Sequence, residues 1–283
     1  MKFGLWTQYG ALNSKPVFDA FRYSLIQAGH SVVDNHPDCD VDVIWSVLWH
    51  GRMAQNKLIW DRARATNKPV IVLEVGHVRR GITWKVGLNG INRDAFFGPG
   101  GNNNHRASVL PMGLKEWKNN TNGPIIVCTQ HSKSQQWANM PNVSNWTIQT
   151  IDEIRKHTDR TIIIRPHPRC PLPLIEIEFK NVIRDIPKKV DGTYDDYNFK
   201  YDHAWAVVNW SSNPAVEAVR NGIPVFVGPS SLAWDVGNHS LETINDPVKP
   251  DRHQWLNDLA WTEFTLQEIA QGLPLKQLTS KLI

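Results

Sequence analysis

Cysteine is scarce in this 283-residue chain: Cys39, Cys128 and Cys170 stand far apart and form no Cys-x-x-Cys pair. An odd, scattered set excludes a disulfide framework and a cysteine-based structural zinc site. No run of about 18 apolar residues occurs, so the sequence offers no transmembrane helix. Its opening, Met1 to Gly10, turns polar after six residues and does not read as a signal peptide, so a cytosolic protein is expected. There is no internal repeat, and no Gly-Lys-Ser/Thr follows the glycines of Phe97–Arg106, which excludes a P-loop there. Charge of one sign is also missing. The net charge is only +4, but residues 1–120 carry +6 and the remainder −2. A basic first half suits an acidic partner, and scattered surface charge would give the same count.

Tryptophan, in contrast, is abundant, with 13 residues. Strand and helix patterns alternate from the start. Lys2–Trp6 reads as a strand, and Ser14–Ala28 as a helix with a serine N-cap, Pro16 in its first turn and Gly29 as its stop. Strands near Ser31–Val33, Val43–Leu48 and Pro69–Leu73 flank a helix at Met53–Ala65. The polar stretch Met112–Gly123 reads as a linker, after which the alternation restarts. Strand patterns at Pro124–Thr129, Thr161–Ile164, Trp205–Asn209 and Pro224–Val227 enclose helices at Trp146–His157 and Pro214–Arg220. The expected fold is α/β, with two Rossmann-like domains at 1–117 and 124–262 and a helical tail at 263–283.

Arg165-Pro166-His167-Pro168 follows a strand directly. Ligands of open α/β sheets sit at the carboxyl ends of strands, so Arg165 and His167 are placed to donate to a diphosphate. A rigid turn with a surface histidine is the plainer alternative. Ser211 and Ser212 open a helix after the next strand, where capping explains one serine and an anion site explains both. Glu217 on that helix is a candidate for ribose hydroxyls. Gly228 and Ser230 follow another strand and would let a ligand approach. In the first half, Glu74 at a strand end is the leading candidate for a general base, with Asp94 second and His77 third. An ion pair with a nearby arginine explains Glu74 equally well. Arg52, Arg79, Arg80, Lys85 and Arg93 form the candidate acceptor surface, and Trp49 reads as core. Asp38-Cys39-Asp40 and Asp40-Val41-Asp42 have the spacing of a metal-holding D-x-D, but they lie in a polar loop and read as a solvated turn. No metal site is expected. Phe97–Arg106 reads as a mobile loop.

The R-x-H-P turn, the Ser-Ser helix start and the E-A-x-x-x-G-x-P-V segment together resemble the donor domain of GT-B glycosyltransferases over about residues 160–230. Bacterial capsule Kdo transferases and sialyltransferases have similar elements. The resemblance implies two domains facing a cleft, a nucleotide sugar as co-substrate with no further cofactor, and phosphate contacts from His167, Ser211 and Ser212. The whole-chain pattern also resembles phage DNA glycosyltransferases. That likeness implies hydroxymethylcytosine in double-stranded DNA as acceptor, in the cytoplasm of an infected cell. A cell-surface glycan as acceptor, or a binding protein without catalysis, are the alternatives. Neither membrane contact nor a particular oligomeric state is implied.

Overall fold

A computed structural model of the chain describes residues 1–100, 105–110, 112–191, 197–198 and 201–282. They form two compact units: Met1–Met112 with Leu256–Ile283, and Gly113–Trp255. Among the described residues no helix is long and apolar enough to cross a membrane.

The first unit opens with β1 (Lys2–Leu5), α1 (Lys15–Gln27), β2 (Ser31–Asp34), β3 (Val41–Trp45), α2 (Asn56–Ala65), β4 (Val70–Val75), β5 (Thr83–Leu88) and α3 (His105–Val109). The second unit holds β6 (Ile125–Cys128), α4 (Val143–Arg155), β7 (Ile162–Arg165), β8 (Val182–Arg184), β9 (Ala206–Asn209), α5 (Asn213–Arg220) and β10 (Val225–Val227). The chain returns through α6 (His253–Ala260) to the first unit, where β11 (Glu263–Thr265), α7 (Leu266–Ala270) and α8 (Leu273–Leu278) complete it.

The first sheet has the order β11-β5-β4-β3-β1-β2, with β4, β5 and β11 antiparallel to their neighbours at the β4–β5 and β5–β11 pairings. Period-two alternation splits its side chains between two cores. Phe3, Leu5, Val43, Trp45, Ile71, Leu73, Trp84 and Val86 face α1, α7 and α8. Ile44, Val70 and Val72 face α2 with Trp49 and Trp60, so Trp49 is core as expected. The second sheet, β10-β9-β6-β7-β8, is parallel throughout. Strands β6, β7, β9 and β10 are short, largely buried apolar runs, which is why they read so plainly in the sequence; β8, with Ile183 exposed, was not read.

Two expectations change. Residues 263–283 are not a separate tail. Phe264 is fully buried in the first core beside Ile269, Leu275 and Leu278, so burial of that face recruits the segment to the first sheet. Lys85, read as part of an acceptor surface, lies on the interior strand β5. Of the expected mobile loop, residues 101–104 lie outside the described residues. From His105 the chain is helical, and the Arg106 guanidinium is buried on Glu268 and the carbonyl of Ala260.

Candidate functional site

The carboxyl ends of β6, β7, β9 and β10 converge on one edge of the second sheet, because parallel pairing sends all four strands the same way. Beyond β6 come Thr129, Gln130 and His131. Beyond β7 comes His167, whose backbone N–H donates to Thr129 Oγ1 at 3.0 Å. The rings of His131 and His167 meet edge to face, with centroids 5.2 Å apart. Each Nδ1 accepts the amide two residues further on, Lys133 N–H for His131 and Arg169 N–H for His167, both at 3.1 Å. An occupied Nδ1 places the proton of the neutral ring on Nε2. Two N–H donors are thereby set side by side at the ends of adjacent strands.

Ser212 takes the N-cap position of α5 without bonding back to the helix; its Oγ accepts from Asn209 Nδ2 at 2.8 Å. The first turn of α5, with Pro214 inside it, therefore presents its positive end at the strand edge without a side-chain cap. Several buried oxygens here, Asn209 Oδ1, Asn213 Oδ1 and Ser230 Oγ, have no hydrogen-bond partner among the described residues. Buried polar atoms are nearly always satisfied, so unmet ones at strand ends are candidates for an ordered water or a ligand. Ser211 is 3% exposed and gives both its N–H and its hydroxyl to Gln130 Oε1, at 3.2 and 3.0 Å.

The structure corrects three donor-site expectations. Arg165 does not reach the edge: its guanidinium is buried and bonds Asp185 and the carbonyl of Asn198. The hydroxyl of Ser211 is spent on Gln130, so Ser211 positions the strand ends instead of donating outward. At Gly228 the space a side chain would occupy is filled by the Trp210 indole, so the glycine serves packing. Glu217 lies half-buried in the helix interior and accepts from Tyr201 Oη at 3.4 Å. Burial pushes the Cys128 thiol up to about 12, which leaves it inert at the end of β6. Gln130 and His131 were missed in the sequence. Thr129-Gln130-His131 follows an apolar strand just as Arg165-Pro166-His167 does, and strand-end reasoning applied there would have found them.

The first unit gathers a different set. Glu74 of β4 and Glu263 of β11 are both cross-strand partners of Lys85 on β5, so the three side chains share one face in a row. Lys85 is fully buried and donates to the Ile91 carbonyl at 3.1 Å, so it is no part of an acceptor surface. Burial lowers its pKa to about 8 against the pull of Glu263, Glu74 and Asp94. Glu263 is also fully buried; it accepts from His77 N–H, Val78 N–H and the Thr83 hydroxyl at 2.6, 3.0 and 2.7 Å. A Cβ on Gly76 would collide with that carboxylate. Glu74 is half-buried near the carboxyl end of β4, with Oε1 on the Val75 amide at 2.8 Å. Desolvation raises the pKa of Asp94, partly offset by hydrogen bonds from the Asp94 and Asn92 amides and by Lys85. Arg52, Arg79 and Arg93 are exposed and Arg80 is half-buried. The D-x-D carboxylates are engaged: Asp38 with Lys2 Nζ at 2.6 Å, Asp40 with Lys2 N–H at 2.7 Å and Asp42 with Trp6 Nε1 at 2.7 Å. Among the described residues no cluster of three or more histidine, cysteine or carboxylate side chains forms a metal-binding group.

No protein-family model and no curated protein matches this sequence. Solved structures do resemble it. The β-Kdo 2,7 transferase of Thermosulfurimonas dismutans KpsC superposes with a TM-score of 0.55 at 14% identity, over 98% of this chain and 100% of that one. The β-Kdo 2,4 transferase of the same KpsC gives 0.51 at 11% identity, over 97% and 98%. The fold is thus that of GT-B proteins, two Rossmann-like units in one chain.

Proposed function

We propose that this chain is a glycosyltransferase that takes its sugar from a nucleotide-sugar donor held at the carboxyl ends of β6, β7, β9 and β10. The observation that carries the reading is the histidine pair with both Nδ1 atoms occupied, beside the open start of α5. In sugar transfer the acceptor oxygen bonds to the anomeric carbon as the bond from that carbon to phosphate breaks. The departing nucleotide takes the electron pair, so charge develops on phosphate oxygens. Nε2–H of His131 and His167 and the α5 amide end suit that charge, because such donors act best in a site largely free of water. Ser212 and Ser230 supply hydroxyls, and Asn209 and Asn213 supply acceptors for the nucleotide. In the first unit, Glu74 is assigned the acceptor proton, as a half-exposed carboxylate at a strand end.

For the acceptor we favour a saccharide hydroxyl. The structural neighbours are named as transferases of the sugar Kdo. The cation set first read as a DNA surface has also lost Lys85 to the core. The alternative of hydroxymethylcytosine in duplex DNA keeps the exposed Arg79 and Arg93 in its favour. The test is to incubate the protein with a panel of nucleotide sugars, oligosaccharides and hydroxymethylated duplex DNA, and to analyse products by mass. Transfer to a saccharide, with a Glu74→Gln variant slowed about 100-fold or more while nucleotide binding holds, is the expected result. Transfer only to the modified duplex, with binding that falls steeply as salt rises, would move the acceptor to DNA. Nucleotide binding without turnover of any donor would make this a binding protein.

A further inference from the structure

The first unit has a cleft of about 520 Å³ that shares only Arg52 with the candidate residues above. It opens where β1, which lies between β2 and β3, ends. From β1 the chain leaves through α1 over the face that carries Phe3 and Leu5. It returns from β2 to β3 through residues 35–40 across the other face, where Gly4 lets Cys39 lie directly on β1. Connections on opposite faces make this a topological switch point, the place where open α/β sheets bind ligands.

The lining has a definite chemistry. Ser14 is the N-cap of the 13-residue α1, yet its side chain makes no cap bond. It is 3% exposed, and among the described residues its hydroxyl has no hydrogen-bond partner. Gly10 leaves it room, since a Cβ there would overlap Ser14 Oγ. Three cations line the cleft. Lys15 pairs with Asp19 and Arg22 with Asp34. Arg52, exposed, has neither an ion-pair nor a hydrogen-bond partner among the described residues. The hydroxyl of a buried serine, the positive end of a helix and a guanidinium unpaired among the described residues surround one small space.

We propose that this cleft binds a compact oxyanion, a carboxylate or a phosphate monoester carried by the acceptor, through the Ser14 hydroxyl, the first turn of α1 and Arg52. Helix N-termini favour anions, and guanidinium donates to planar and tetrahedral oxyanions alike. Asp19 and Asp34 beside it disfavour a run of phosphates, which selects a single anion. Only the word acceptor rests on the transferase reading; the anion site does not.

The test titrates the full chain with inorganic phosphate, with glucuronate and with uncharged glucose. Binding is followed by residue-resolved NMR at the amides of Gly10 to Lys15 and of Val17, and at Arg52 Nε–H, so that phosphate held in the second unit is not counted. Saturable binding of phosphate, glucuronate or both, and none of glucose, is expected; the stronger anion identifies the source. Arg52→Gln and Ser14→Ala should each weaken it about tenfold or more, and Lys57→Gln should leave it unchanged. Ser14→Ala removes no cap bond and Arg52 is exposed, so both variants should fold, with unaltered nucleotide binding. Absence of binding by both anions, or equal affinity in the variants, overturns the proposal. If nucleotide binding and transfer persist in that case, the transferase reading stands without it. If anion binding persists while no nucleotide binds, the reverse holds.

Discussion

The polar residues at the strand ends of the second unit and the charged row across β4, β5 and β11 of the first use similar side chains to opposite ends. In the row, Lys85 on β5 and Glu263 on the edge strand β11 are fully buried, with partners supplied by the fold itself. At the strand ends, Asn209 Oδ1, Asn213 Oδ1 and Ser230 Oγ are buried and unmet, and two imidazoles are held in one tautomer. The difference teaches that residue type alone does not mark a site. A charge whose partners are complete holds the fold; a polar edge with unmet atoms is made for something else.

The comparison breaks most readily at Glu263. Glu263→Ala removes the acceptor of two backbone amides and the Thr83 hydroxyl and leaves Lys85 short of a counter-charge. A loss of about 3–5 kcal/mol from the first unit is expected in denaturant unfolding. A loss below 1 kcal/mol would mean that the row is not structural. Lys85 gives the next largest effect, through pH. Its pKa is about 8 in the folded chain and ordinary, near 10.4, in the unfolded one. The unfolded state therefore binds more protons between those values, so stability rises with pH across that window. Below pH 8 the cost is fully present, at roughly 3 kcal/mol by about 1.4 kcal/mol per pK unit. Unfolding measured at pH 8 and pH 10 should show the rise as a difference between the wild type and Lys85→Met, a comparison that cancels the opposite contribution of the Cys128 thiol. The smallest effect tests the other side. His167→Ala should weaken nucleotide binding by about 1.5–3 kcal/mol by calorimetry, with no change in unfolding midpoint. Unchanged affinity would mean that the histidine pair is merely a turn.

Legibility followed the same division. The strands of the second sheet are uninterrupted apolar runs, and His167, Ser212 and Ser230 sit just past them, so strand-end reasoning reached them directly. Arg165 sits two residues before His167, the last of β7, and its guanidinium turns inward to Asp185. That turn depends on a residue twenty positions away. β5 was invisible because Thr83-Trp84-Lys85 alternates with a lysine on a face that is normally apolar. Only the distant Glu263 makes that lysine tolerable.

Alternating periodicity and punctuation by themselves determined that this chain is α/β, that the alternation restarts after Gly123, and that polar residues crowd the ends of its later strands. These are local properties, set by side-chain spacing and backbone preference over a few residues. The tertiary structure decided which of those residues face one another. It returned 263–283 to the first sheet, placed Glu263 opposite Lys85 across 178 positions, and paired His131 with His167. Such pairings follow from which faces must be buried together, and burial is a property of the whole assembled core.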